Sequence, residues 1–246
     1  MKPKIRLEDV KELKIERKVF DERTLLAIYK LLNKGIIKSV EGVAKEGKES
    51  VVFSAKDKND NWLALKVYRA EYCDFKSMWK YLVGDPRFSS VKKSRRAVIL
   101  NWCKREFKNL TIAHEAGVSC PKPIAFNENI LVIEFIGEDG KLAPRLIDVK
   151  LENRDKQGVY EFILNEVEKI LRSGLIHSDL SAYNILIWGK PYIIDFSQAV
   201  PLKHQLASEF LRRDIKNVNS YFKALNVKIK NEEELFKRFS AMAGLE

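Results

Sequence analysis

The sequence is poor in the residues that build covalently locked or metal-locked scaffolds. It holds three cysteines and three histidines in 246 residues. Cys73, Cys103 and Cys120 are odd in number and lack metal-ligand spacing, so they read as reduced thiols of a cytosolic protein. His114, His177 and His204 are scattered, which argues against a histidine metal site. No stretch approaches the ~18 consecutive apolar residues of a membrane span. The first twenty residues contain no apolar signal-peptide core. The expectation is a cytoplasmic protein without membrane contact. The Walker pattern G-x4-G-K-[ST] does not occur, which disfavours a P-loop NTPase. An acidic excess is missing too: Lys+Arg number 45 against 34 Asp+Glu, a net charge of +11. That balance favours polyanionic partners such as nucleotides or RNA.

What is present is a core. The chain is 46% hydrophobic, with 13 Phe, 8 Tyr and 4 Trp, and long enough for one large domain or two small lobes. Residues 21–33 predict a helix with Leu25, Ile28, Tyr29 and Leu32 on one face and Gly35 as its stop. Residues 36–68 read as strand, polar turn, strand, hairpin loop and strand. Residues 68–96 mix aromatics, Gly84-Asp85-Pro86 and a basic cluster, and predict a long, partly mobile insertion. A helix follows, with Ile99, Cys103, Leu110 and Ala113 along one stripe and Gly117 as its end. Next come a hairpin closing near Gly137 and an amphipathic helix through Leu171. Two short strands then turn at Gly189-Lys190, and two more helices follow, the last with Asn231 and Glu234 placed for a capping box.

This order predicts an α+β protein: an N-terminal helical segment (1–35), a β-rich front lobe (36–135) and a helical back lobe (136–246). The hinge is expected near Glu134 to Gly137, with a ligand cleft between the lobes.

The chemistry gathers in "HSDLSAYNILIWGKPYIIDFSQAV", residues 177–200. Carboxylates beside apolar strands are costly, so Asp179, Asn184 and Asp195 either bond locally at strand ends or hold a cation. Phosphoryl transfer needs a carboxylate near the incoming hydroxyl and oxygen ligands for Mg²⁺ on the nucleotide phosphates. Asp179 and Asn184, five apart on one loop, and Asp195 after the next strand meet that need. Lys66, in the apolar strand "LALKVY", and Glu106, on the apolar stripe of the next helix, read as an ion pair that positions nucleotide phosphates. Between the first two strands, "KEGKES" is a turn that can cover phosphates with its backbone N–H groups, Lys48 and Ser50. His177 reads as a packing and hydrogen-bonding residue that holds the loop. Ser77, Ser89, Ser90 and Ser94 lie in the insertion. Ser94, with Lys92, Lys93, Arg95 and Arg96 around it, is the first choice for autophosphorylation, since those cations can pair with the product phosphate.

In these motifs and their order the sequence resembles the RIO-type atypical serine/threonine protein kinases, on the Rio-one branch. The resemblance rests on "GKES", "LALKVY", "YRAEYCDFKSMWKYLVGDPRF", "REFKNL", "LVIEFIG", "HSDLSAYNILI", "YIIDFSQAV" and "LRRDIKNVNSYF". It implies a bilobal protein-kinase-like fold with a trimmed C-terminal lobe that lacks the activation loop and the peptide-substrate platform. It implies ATP with Mg²⁺ or Mn²⁺, Asp179 as the catalytic-loop acid, and Asn184 and Asp195 as metal ligands. Lys66 and Glu106 become the phosphate-contacting lysine and its partner. The backbone of Glu134 and Ile136 becomes the adenine hinge, and Ser50 touches the phosphates. Asp195 becomes an acceptor for a transient aspartyl-phosphate. The resemblance further implies a protein kinase or ATPase acting in small ribosomal subunit maturation, on a precursor particle of protein and rRNA. "HSDLS" stands where ordinary protein kinases have H-R-D-L-K, and "DFS" where they have D-F-G, which weakens the case for a peptide substrate. Two other classes compete: a small-molecule kinase of the aminoglycoside or choline kind, and a non-catalytic ribosome-binding pseudokinase.

Overall fold

The structure, a computed structural model, describes residues 21–69, 71–88 and 92–245. The first twenty residues of the expected N-terminal segment lie outside the described residues, as do Ser89 and Ser90. The described chain groups into two compact units: residues 21–79, 92–107 and 123–142, and residues 80–88, 108–122 and 143–245. The division is therefore not a single cut along the sequence.

The first unit starts with α1 (Glu22–Asn33). Asp21 caps it by accepting the Thr24 N–H at 2.7 Å. Gly35, at φ 67°, takes the chain out of it. Strands β1 (Ser39–Glu46), β2 (Ser50–Lys56) and β3 (Trp62–Tyr68) follow by short turns. α2 (Phe75–Val83) and α3 (Arg95–Glu115) begin in this unit and end in the other, and strands β4 (Pro123–Asn127) and β5 (Ile130–Glu134) complete its sheet. The sheet is antiparallel in the order β1-β2-β3-β5-β4. A small hairpin, β6 (Gly137–Glu138) with β7 (Lys141–Leu142), closes the unit.

Strand alternation sorts the side chains of β3. Leu63, Leu65 and Val67 join Ala27, Ile28, Leu31 and Leu32 of α1 in one apolar core. Each buried Val, Leu or Ile among them contributes roughly 1.5–3 kcal/mol. Ala64, Lys66 and Tyr68 occupy the opposite face and are buried as well.

Within the insertion expected over residues 68–96, the described residues include α2 and a 3₁₀ turn (Pro86–Phe88). Gly84-Asp85-Pro86 looks like a chain break in sequence, but long-range packing decides its role. A Cβ on Gly84 would lie 2.5 Å from the His204 Nε2, so the glycine permits close packing. Asp85 is fully buried and accepts from Arg87 at 2.9 and 2.7 Å, and Arg87 also donates to Asn109 Oδ1 at 2.7 Å. A buried carboxylate with this pairing makes a folded corner.

The second unit is mainly helical. It contains α4 (Asn153–Arg172), α5 (Ala207–Ala224) and α6 (Glu232–Ala243). The Tyr160 hydroxyl of α4 donates to Asn219 Oδ1 of α5 at 2.8 Å and accepts the Lys230 N–H at 2.9 Å, tying both helices to the link before α6. Asn231 caps α6 by accepting the Glu233 and Glu234 N–H groups. Two short ribbons lie in this unit: β8 (Leu175–Ile176) with β11 (Val200–Pro201), and β9 (Ile185–Trp188) with β10 (Lys190–Ile193). Gly189, at φ 68°, makes the turn of the second ribbon. Among the described residues no helix is long and apolar enough to cross a membrane.

Candidate active site

In the first unit, Lys66 and Glu106 meet. The Lys66 ammonium lies 2.8 Å from Glu106 Oε1, with side chains only 10% and 3% exposed. Lys66 therefore does not point to solvent. Both faces of β3 are covered, and the Lys66 face looks onto α3. The Tyr68 hydroxyl donates to the other oxygen of Glu106, Oε2. Cys103, one turn before Glu106, is buried, and burial pushes its thiol well up. Cys73 is pushed up to about 12, by burial and then by Glu49. Both stay protonated at neutral pH, which suits structural thiols.

Lys48 and Ser50 sit on the β1–β2 turn, Lys48 exposed and Ser50 half-buried. Gly47 donates its N–H to Ser50 O at 2.9 Å, and a Cβ there would meet that oxygen at 3.0 Å. One glycine suffices because a side chain clasps the turn: Arg69 donates to Gly47 O at 2.9 Å and to Glu46 Oε1 at 3.0 Å. Glu134 is exposed at the end of β5, opposite Leu63, and Ile136 is buried just beyond. Ser94 accepts the Ala97 N–H at 3.3 Å and so caps α3. It lies twelve residues before Glu106 on that helix, roughly 18 Å along the axis. Of its cationic neighbours, Arg96 is paired with Glu128 at 2.6 Å.

In the second unit, Asp179 and Asn184 meet across a 3₁₀ turn (Ala182–Asn184). Asn184 Nδ2 donates to Asp179 O at 2.9 Å and to Asp179 Oδ2 at 3.1 Å, which turns its Oδ1 the other way. Gln198 Nε2 also donates to Asp179 Oδ2, at 3.2 Å. The Ile194 N–H donates to Asn184 O at 3.0 Å, so Asp195 follows directly on a residue paired to Asn184. Asp195 stands at φ 63° and accepts from the Ser197 hydroxyl at 2.7 Å. His177 bonds the loop as expected. Its Nδ1 accepts the Asp179 N–H at 3.3 Å, so its Nε2 carries the proton and donates to Ile194 O at 3.0 Å.

This donor set fits a hard divalent cation. Asn184 and Asp195 offer oxygen, and Mg²⁺ takes one or two protein oxygens while phosphates and water supply the rest. Among the described residues no group of three or more His, Cys, Asp or Glu is placed to hold a metal.

The RIO-domain family model matches residues 51–235. The chain is 42% identical over 221 residues to a RIO-type serine/threonine-protein kinase Rio1 of Haloferax volcanii, covering 89% of this chain and 76% of that protein. It is 40% identical over 230 residues to the Rio1 kinase of Methanocaldococcus jannaschii, covering 93% and 78%. This chain belongs to the RIO kinase family. Its relatives place it with the Rio1 kinases, as serine/threonine protein kinases. Among solved structures it resembles the Rio2 kinase of Chaetomium thermophilum in an ADP/Mg²⁺-phosphoaspartate complex, with a TM-score of 0.68 at 21% identity over 90% of this chain and 70% of that one. That likeness establishes the protein-kinase-like fold.

One buried residue beside the Asp179 loop carried no role in the sequence reading. Asp214 of α5 is buried and accepts the Ser178 N–H at 2.7 Å and the Leu180 N–H at 2.9 Å, one on each side of Asp179. Arg213 donates to Ser178 O, and the Ser178 hydroxyl donates to Gln198 O at 2.6 Å. All three polar groups of Ser178 are thus held, which keeps this non-glycine residue at φ 61° despite a cost on the order of 1–3 kcal/mol. The signal was in the sequence. Asp214 falls between Leu211, Ile215 and Val218 on the buried face of its helix, as Glu106 does on its own.

Burial pushes the Asp214 carboxyl up to about 7, against the two N–H bonds that favour its charged form. A raised folded value means this group's stabilising contribution is complete below about 3.8 and is lost as pH rises through about 7. Its grip on the loop runs the other way, because a protonated acid commits one oxygen to O–H. Turnover is expected to fall below about pH 7 without a matching loss of resistance to urea. Asp214→Asn should lower the rate and flatten that arm of the pH–rate profile. An unaltered profile in the variant would contradict the role.

Proposed function

We propose that this RIO kinase transfers the γ-phosphoryl group of Mg-ATP to serine, with slow hydrolysis of ATP as a second outlet. The observation that carries the proposal is the Asp179–Asn184 hydrogen-bonded turn with Asp195 following a residue paired to Asn184. The magnesium ion, when bound, neutralises charge on the β- and γ-phosphates; Mn²⁺ is the alternative metal. Asn184 and Asp195 hold it, and Asp179 orients the attacking hydroxyl and accepts its proton. Lys66, fixed by Glu106, contacts the α/β-phosphates. Lys48, Ser50 and the N–H groups of their turn lie on the phosphates, and the backbone of Glu134 and Ile136 receives the adenine. The Rio2 complex with phosphoaspartate supports a further role for Asp195. Its carboxylate oxygen bonds the γ-phosphorus as the bond to the β-phosphate oxygen breaks and ADP leaves. Water then cleaves the acyl phosphate to inorganic phosphate.

The partner we propose is a precursor of the small ribosomal subunit. A net charge of +11 supports a partner rich in phosphate. Single-turnover conversion of labelled ATP, with and without purified precursor particles, tests it. The particles should accelerate turnover, and unrelated RNA of equal mass should not. Equal acceleration by both, or none by either, removes the ribosomal reading.

Ser94 is the proposed autophosphorylation site. A phosphate on the residue that caps α3 would meet the positive end of that helix and the cations beside it. Phosphosite mapping after incubation with Mg-ATP should find Ser94 modified in the parent and unmodified in Asp179→Asn. Phosphate found only elsewhere, or equally in both proteins, overturns the assignment.

A further inference from the structure

We infer that Tyr68 is a positioning residue for the Lys66–Glu106 pair: its hydroxyl fixes the Glu106 carboxylate so that Oε1 faces the lysine. The inference rests on the reading of Lys66 as the phosphate-contacting lysine. Tyr68 lies two residues after Lys66 on β3, so strand alternation puts both on the face that meets α3. All three residues are buried, Lys66 at 8%, Tyr68 at 2% and Glu106 at 2% exposure. Lys66 bonds Oε1 at 2.8 Å, and the Tyr68 O–H bonds Oε2.

The terminal torsion of a glutamate is broad, so one ion pair leaves the carboxylate free to swing. A second donor on the other oxygen removes that freedom and satisfies lone pairs that burial cuts off from water. The Tyr68 ring also flanks the lysine, its centroid 5.2 Å from Nζ, so one side chain steadies both members of the pair.

Tyr68 is itself anchored. Its N–H donates to Asn129 O at 2.9 Å, and its carbonyl accepts from Asn129 Nδ2 at 2.8 Å. The same Nδ2 reaches Thr24 Oγ1 of α1 at 3.0 Å. The ring could fill its place as phenylalanine; the contact with Glu106 requires the hydroxyl.

The Tyr68→Phe variant is compared with the parent for KM and kcat with ATP, and again in a Glu106→Gln background. KM should rise roughly tenfold in the parent background, the scale of a lost hydrogen bond to a charged group, with a smaller change in kcat. In the Glu106→Gln background it should add nothing. An equal loss in both backgrounds marks a merely structural tyrosine and overturns the inference, as does an unchanged KM. Acylation of Lys66 by an amine-directed reagent without nucleotide reads the pairing independently. Tyr68→Phe should speed it several-fold even if Lys66→Ala shows that the lysine does not contact phosphate, and an unchanged rate refutes the positioning role. Should the phenylalanine variant not fold, Tyr68→Met, which also lacks a donor, is judged by the same outcomes.

Discussion

Asp179→Asn is expected to lower phosphoryl transfer by ~10²–10⁴-fold, the usual worth of a positioned acid or base. ATP affinity should stay close to that of the parent. The substitution keeps the shape of the side chain and removes its charge and basicity. An amide oxygen can still accept from Asn184 and Gln198, which both bond Asp179 Oδ2. The flanking backbone is held by Asp214, so the turn keeps its form. Rapid-quench turnover with calorimetric ATP binding separates the two effects. A collapse of affinity with an intact rate per bound ATP would assign Asp179 to binding and not to chemistry.

Asp195→Ala should be at least as severe, on the order of 10³-fold, because in the proposed role this carboxylate holds the ion that neutralises transition-state charge. It also leaves the Ser197 hydroxyl without its 2.7 Å acceptor. The distinguishing sign is metal dependence. The parent rate should rise steeply with Mg²⁺, and the residual rate of the variant should be nearly flat across the same titration. A variant that keeps the parent's magnesium response would take Asp195 out of the metal site.

How far the sequence could be read depended on the range of the forces involved. Lys66 and Glu106 were legible because each is a charge at an apolar position of a regular element, and burying one requires the other. Asp179, Asn184 and Asp195 were legible because their spacing is local, set by one turn and one ribbon. Asp214 bore the same mark as Glu106, but its partners are backbone N–H groups, which no side-chain pattern announces. The corner at Gly84-Asp85-Pro86 was not legible for a related reason. Locally it is a helix breaker, and the Asp85–Arg87–Asn109 bonds and the His204 ring that shape it come from distant segments. The clasp of Arg69 on the Gly47 turn belongs with these. Its result, a β1–β2 turn with a single glycine, was visible, while its cause was not.

The fate of the γ-phosphoryl group in one turnover tests the central claim most directly. γ-Labelled ATP is mixed with excess protein and Mg²⁺, quenched over time, and partitioned into ATP, inorganic phosphate and protein-bound label. The account predicts label leaving ATP for serine and inorganic phosphate only when Mg²⁺ is present, with both products lost in Asp179→Asn. Label that stays on ATP in the parent, or that leaves it equally fast in the variant or without a divalent metal, would contradict the account.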